Sequence, residues 1–141
     1  MKEKKYKLTD ETIEVDGRTL HRIEALKDFG LIRKGEKGGF IESEKNLSQE
    51  GDCWVGEKAK VFENAQVYEN AHVYGNAKVC GNASMYGEAL TVNEVQVYDN
   101  AQVYGNVLLW GNVKVYGKTK LSGKITIANA EICNSKFVIL K

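Results

Sequence analysis

From Val55 to Ile127 the chain repeats itself every six residues, and no other feature restricts its fold as tightly. An aliphatic side chain opens each hexad: Val55, Val61, Val67, Val73, Val79, Met85, Val97, Val103, Leu109, Val115, Leu121 and Ile127. Thr91 is the one departure among thirteen. Four places later stands a small or β-branched residue, from Ala59, Ala65 and Ala71 to Val95, Val113 and Ile125. A helix repeats every 3.6 residues and a flat strand every two, so neither explains a period of six. A short strand, a corner, and another short strand on a new face does explain it. Each strand has the form x-Val-Tyr, with the aliphatic residue inward and its neighbours outward. Pairs such as Gly75-Asn76, Gly81-Asn82 and Gly111-Asn112 make the corners, because Gly and Asn tolerate left-handed backbone angles at least cost. The alanine then tucks into the corner. The chain has 14 glycines and no proline, which suits continuously paired strands, since proline deletes a ladder donor.

The run Val73-Tyr74-Gly75-Asn76-Ala77-Lys78 resembles the hexapeptide-repeat family: an aliphatic residue, a variable pair, Asn, a small residue and a free one. The resemblance implies an all-β fold, a left-handed parallel β-helix with three strands per 18-residue coil. The hand comes from the resemblance alone, because ordinary crossovers favour the opposite one. At about 4.8 Å per coil, the thirteen hexads make a triangular prism roughly 20 Å long.

The ends depart from the period. Asp16-Gly17 is a two-residue hairpin turn that sets Ile13 opposite Leu20, between short strands at 5–8 and 12–15 and a strand running to Leu26. A turn at 27–30 and a flexible glycine-rich link at 34–39 follow. Residues 1–40 are therefore expected to form a β-hairpin cap, 41–132 the β-helix, and 133–141 a tail that folds over the last coil or adds a strand to it. Ile41, Leu47, Cys53 and Ala59 are six apart, so an imperfect first coil is expected near Ile41, with Ser43 and Gln49 in the inward slots. The stretch Gly38-Gly39-Phe40-Ile41-Glu42-Ser43-Glu44, with Asn46-Leu47-Ser48 and Gly51-Asp52-Cys53-Trp54-Val55, resembles the leader of a bacterial and phage group labelled transferase-like or polymer-forming. That resemblance implies a bacterial or phage context and supplies no activity.

Charge and cysteines narrow the function classes. The net charge is +1, from 20 basic and 19 acidic residues, and the first fifty residues hold 11 of each. This argues against a nucleic-acid partner. No apolar run approaches a membrane span, and the start lacks the apolar stretch of a secretory signal. Cys53, Cys80 and Cys133 lack CxxC spacing and fit reduced thiols in a bacterial or host cytoplasm. No cofactor or metal is called for. A zinc anhydrase site needs three histidines, and the chain has only His21 and His72.

His72 is a weak catalytic candidate. It precedes Val73 and so points outward, where a solvated histidine is the ordinary case. An acyl-CoA-dependent acyltransferase also needs walls to enclose its substrate, and no loop interrupts the hexads. Residues 18 apart stack, which sorts the outward positions into three faces. The first carries Gln66, Tyr68, Ser84, Tyr86, Gln102, Tyr104 and Lys120, an aromatic ladder of Tyr68, Tyr86 and Tyr104 that is either structural or a flat aromatic platform. The second carries Lys60, Phe62, Lys78, Cys80, Gln96, Tyr98, Lys114 and Tyr116. The third carries His72, Tyr74, Leu90, Val92, Leu108 and Trp110, an apolar interface candidate. Another subunit covers that patch, or the hairpin or the tail does; a dimer or trimer, or a protein partner, is the favoured reading. Lys114, Lys118, Lys120 and Lys124 are a possible anion-binding cluster. The leading expectation is a non-catalytic, oligomeric β-solenoid scaffold or protein-binding module, with a phage accessory or counter-defence inhibitor as one such role. The acyltransferase and a small-ligand nucleotide sponge are the alternatives.

Overall fold

In the computed structural model, residues 3–134 and the backbone of Lys136–Ile139 are described. The aliphatic residues stack every coil into parallel ladders that wind into a β-solenoid of about five turns. On the second face Ile41, Val61, Val79, Val97, Val115 and Ile132 lie in register. The third face stacks Val55, Val73, Thr91, Leu109 and Ile127, and the first stacks Val67, Met85, Val103 and Leu121. From Val55 to Val115 these inward side chains are almost wholly buried, and so are the corner alanines. Ile127 and Ile132 in the last coil are half-buried. The strands are mostly two residues long, so their hydrogen bonds run between coils rather than along any one element. No helix among the described residues is long and apolar enough to cross a membrane.

The corners show a rule that the Gly-Asn pattern only half reveals. Gly75, Gly81, Gly87, Gly105, Gly111 and Gly117 all have positive φ, as expected. The equivalent position in an adjacent coil is often held by an acid or Asn in the same left-handed conformation: Glu57, Glu63, Glu69, Asn93, Asp99. Each of these side chains accepts the backbone N–H of the glycine one coil on, Glu57 from Gly75 at 2.7 Å, Glu69 from Gly87 at 2.8 Å and Asp99 from Gly117 at 3.0 Å. The glycine leaves room for the coil above it. A Cβ on Gly75 would lie 2.4 Å from the Asn93 nitrogen. Strain at one coil is thus offset by a hydrogen bond to the next.

Residues 6–25 form an antiparallel hairpin. β1 (Tyr6–Val15) pairs with β2 (Arg18–Ala25), with Ile13 opposite Leu20. The two short strands expected before Asp16 are one strand with an irregularity between Leu8 and Thr12. The supposed flexible link is not one. β3 (Lys37–Ile41) pairs antiparallel with β2 and parallel with the first solenoid rung, so the hairpin extends the second face. Gly38 and Gly39 are buried because the chain passes tightly there: added Cβ atoms would lie 2.4 Å from the Val55 carbonyl and 2.5 Å from the Ala59 carbonyl.

The first coil also differs from its expected phase. Ile41 and Leu47 take the aliphatic slots, opposite Val61 and Val67, while Ser43 and Gln49 do not. The next inward strand residue is Val55, so the period slips by two residues between Leu47 and Val55. Burying Ile41 and Leu47 outweighs keeping the count. Gln49 instead holds the hairpin, its Oε1 accepting the Lys5 and Tyr6 backbone N–H groups. At the other end, Lys136–Ile139 adds a parallel strand to Lys120–Gly123. Residues 135, 140 and 141 of the expected tail lie outside the described ones.

Candidate functional site

The third face stands apart from the other two. Its outward strand positions hold Trp54, His72, Tyr74, Leu90, Val92, Leu108, Trp110 and Thr126, with no Lys, Arg, Asp or Glu among them. Tyr74, Leu90, Val92 and Leu108 are half-buried, and Trp110 remains 43% exposed. Tyr74 lies flat because the position beneath it is Gly56, where a Cβ would meet the ring at 2.5 Å. The lower end of this face is partly covered from within. Phe29 packs edge-on against Trp54 at 5.4 Å, and Trp54 is fully buried. Phe29 and Ile32 pair across a tight turn that leaves Leu31 at its tip, 91% exposed. Between this turn and the face runs a groove of about 440 Å³, lined by Leu31, Asp52, Asn70, His72, Tyr74, Glu88 and Leu90.

His72 is held in a defined state in this groove. Its Nδ1 lies 2.9 Å from the Asn70 carbonyl, which can only accept, so Nδ1 carries the proton. Nε2 then keeps its lone pair. Burial lowers the imidazole pKa, and the Asn70 carbonyl opposes that only in part, so the neutral form is favoured. Its ring stacks near Tyr74 at 5.7 Å. Asp52 and Glu88 are the carboxylates lining the same groove, and Glu88 accepts from the Asn70 amide at 2.8 Å.

The tyrosine ladder on the first face is present, but its geometry limits what it can do. Tyr68, Tyr86 and Tyr104 stack at 4.8 Å with planes within 9° of parallel. Four of the six ring faces, both of those of Tyr86 among them, are therefore spent on a neighbouring ring. A flat platform for a base or sugar needs exposed faces. The four lysines of the supposed anion cluster are distributed round one coil. Lys114 stands on the second face opposite Gln96, Lys120 on the first opposite Gln102, and Lys124 beyond a corner opposite Asn106; Lys118 is in the corner between the first two. Strands on different walls of a prism do not converge on one anion. Among the described residues no group of three or more His, Cys, Asp or Glu is placed to hold a metal ion.

Sequence reading missed the polar plug beneath the first coil. Lys5 is 1% exposed, and its ammonium donates to the Gly51 carbonyl at 3.2 Å, the Cys53 carbonyl at 2.8 Å and Cys53 Sγ at 3.4 Å. Three N–H groups thus find three acceptors, and Nζ also lies 4.8 Å from the Phe29 ring centre. Burial lowers the Lys5 pKa and raises that of Cys53. Tyr6 completes the plug, its hydroxyl donating to the Leu47 carbonyl at 2.5 Å. No local signal marks a lysine four residues from the start as buried; only the fold brings it to Cys53.

The architecture defines a β-solenoid protein. No family model matches the chain. A stretch of it is 37% identical over 60 residues to a protein named "Uncharacterized acetyltransferase YdcK" from Escherichia coli (strain K12), covering 37% of this chain and 18% of that one. The chain therefore spans less than a fifth of that relative's length along the matched stretch.

Proposed function

We propose that the chain is a non-catalytic β-solenoid protein-binding module of the left-handed hexapeptide-repeat class, and that its third face is the surface through which it assembles. One observation carries this reading: a continuous uncharged wall that leaves Leu90, Leu108 and Trp110 at the surface, with Trp110 43% exposed. The other two walls are polar at the same positions: Lys60, Lys78 and Lys114 recur on the second, and Gln66, Ser84, Gln102 and Lys120 on the first. Apolar patches with an aromatic anchor are characteristic of interface centres. Replacing both Leu108 and Trp110 by Ala should lower the mass in light scattering or abolish capture of a partner, with the unfolding midpoint preserved. A doubly substituted protein that keeps both the mass and the partner would end this proposal.

A second reading is favoured by the groove. A neutral imidazole with Nε2 free, its proton fixed by a backbone carbonyl, is what a general base requires, and the E. coli relative bears the name of an acetyltransferase. On this reading His72 deprotonates an acceptor for acyl transfer from an acyl thioester. Against it, nothing rises from the walls to enclose a substrate between Val55 and Ile127. Calorimetry with acetyl-CoA separates the two. Binding lost in His72→Ala supports the enzyme; no heat with the intact protein removes it.

A further inference from the structure

We infer that the occupant of the groove is a second copy of this chain, whose Leu31 turn it receives in a reciprocal exchange. The inference rests on the third-face reading above and deepens it by naming the partner and the contacts.

The turn and the groove are complementary in the residues they offer: an exposed leucine with cations beside it, and an apolar floor with carboxylates on its rim. Leu31 is held out rigidly, since its neighbours Phe29 and Ile32 are bonded to each other and pack inward, Ile32 at 4% exposure. Arg33 and Lys34 follow on the same loop and are exposed, with no ion pair found for either side chain among the described residues. Of the other cations in the N-terminal element, Lys4 pairs with Glu44, Arg18 with Glu42, Arg22 with Glu11 and Lys27 with Glu3, while Lys7 and Lys37 have no ion pair among the described residues. Asp28 and Glu36 of the same loop accept the Lys34 and Arg33 backbone N–H groups, and neither forms an ion pair with the Arg33 or Lys34 side chain among the described residues. The groove is the opposite. Its floor of Tyr74 and Leu90 is apolar, its rim carries Asp52 and Glu88, and no Lys or Arg lines it among the described residues. A leucine followed by two exposed cations without a side-chain ion pair fits an apolar floor flanked by two carboxylates.

Leu31 lines its own chain's groove, so tip and groove lie at one height along the prism. A two-fold axis parallel to the long axis of the prism and passing in front of the third face keeps them at that height. Each tip then enters the partner's groove, and the two Trp110 side chains face each other higher up. Contacts made in this way are reciprocal, which closes the assembly at two copies and leaves no surface for fibre growth.

The test is a charge exchange read by sedimentation and light scattering. The wild-type protein is expected to be a dimer whose dissociation constant rises with salt. Leu31→Asp should raise that constant about thirtyfold or more, the size of one interface hot spot, and at 91% exposure the change leaves the fold alone. Arg33→Glu/Lys34→Glu and Asp52→Lys/Glu88→Lys should each be monomeric, since tip and groove then carry the same sign. Mixed together they should form a one-to-one dimer, because each tip meets a groove of opposite sign; that recovery also shows both variants to be folded. A dimer that ignores Leu31→Asp and both charge variants, yet falls apart on Leu108→Ala/Trp110→Ala, would overturn the exchange while the third-face reading stood. A wild-type monomer, with no dimer on mixing, would overturn the exchange outright. Capture of a different protein through Leu108 and Trp110 would then preserve the face as a binding surface.

Discussion

The coil at 41–55 and the coils above it do the same structural task by different means. The upper coils use one device repeatedly: an inward aliphatic residue, a small corner residue, and a left-handed position shared between an acid and a glycine one coil apart. The lowest coil has no coil beneath it. It is closed by particular side chains instead, Lys5 and Tyr6 from below, Asn46 bonded to the Glu63 and Ala65 carbonyls, Gln49 on the hairpin, and two glycines where chains nearly touch. A repeat distributes stability over many equivalent contacts, whereas an end concentrates it in a few that have no substitute.

The contrast breaks most readily at the glycines. Gly39→Ala should cost about 3 kcal/mol in urea unfolding, because the new Cβ meets the Ala59 carbonyl and Val55 Cγ1 and neither can retreat. Gly35→Ala, where a Cβ meets open space at φ +89°, should cost only the left-handed strain of about 1 kcal/mol. Equal losses at the two sites would remove the claim that close passage, not turn geometry, selects Gly39. Next comes the plug. Lys5→Met keeps the stem and loses the donors to Gly51 and Cys53, which should cost about 2 kcal/mol by the same assay. An unchanged midpoint would mean that the buried ammonium contributes nothing.

The upper coils should respond more mildly, and in one case favourably. Thr91 holds an inward slot, and its fully buried hydroxyl has no partner among the described residues. Thr91→Val should therefore stabilise by about 1 kcal/mol, and a loss would show that the hydroxyl is satisfied in solution. Glu69→Ala should lose about 1 kcal/mol, for the bond to Gly87 goes and the strain stays, while Glu69→Gly should lose only about 0.3 kcal/mol because the strain goes too. The smallest effect is the pH response of His72. Burial lowers its folded pKa, so the unfolded chain binds the proton more readily. Wild-type stability should fall relative to His72→Gln as pH drops below about 6.5 and show no difference above it.

Much of this was legible in the residues, and the reasons differ from place to place. The inward stack from Val55 to Ile127 was readable because one six-residue period can satisfy burial in only one way. The hairpin was readable because Asp16-Gly17 sets a register by itself. The phase slip before Val55 was not, since counting favours Cys53 and only the pairing of Ile41 with Val61 decides otherwise. The acid–glycine alternation was hidden for a similar reason: Glu63 and Gly81 are 18 residues apart and become neighbours only once the coils stack. Of the candidate site, the apolar face was legible by listing every eighteenth residue. The turn that borders it was not, because no local pattern says that a loop at 27–35 lies beside residues 72–90.

By itself, then, the order of residues determined what repeats: which side chains face in, where the corners fall, and which wall lacks charge. Those are consequences of a local period acting through burial and backbone sterics. Tertiary structure alone decided the contacts that join distant segments. It brought the Lys5 ammonium under Cys53, threaded Gly38 and Gly39 between carbonyls, and set Leu31 at the rim of a groove on His72 and Leu90. Such contacts depend on where the chain ends meet the coil, and no spacing along the sequence encodes that.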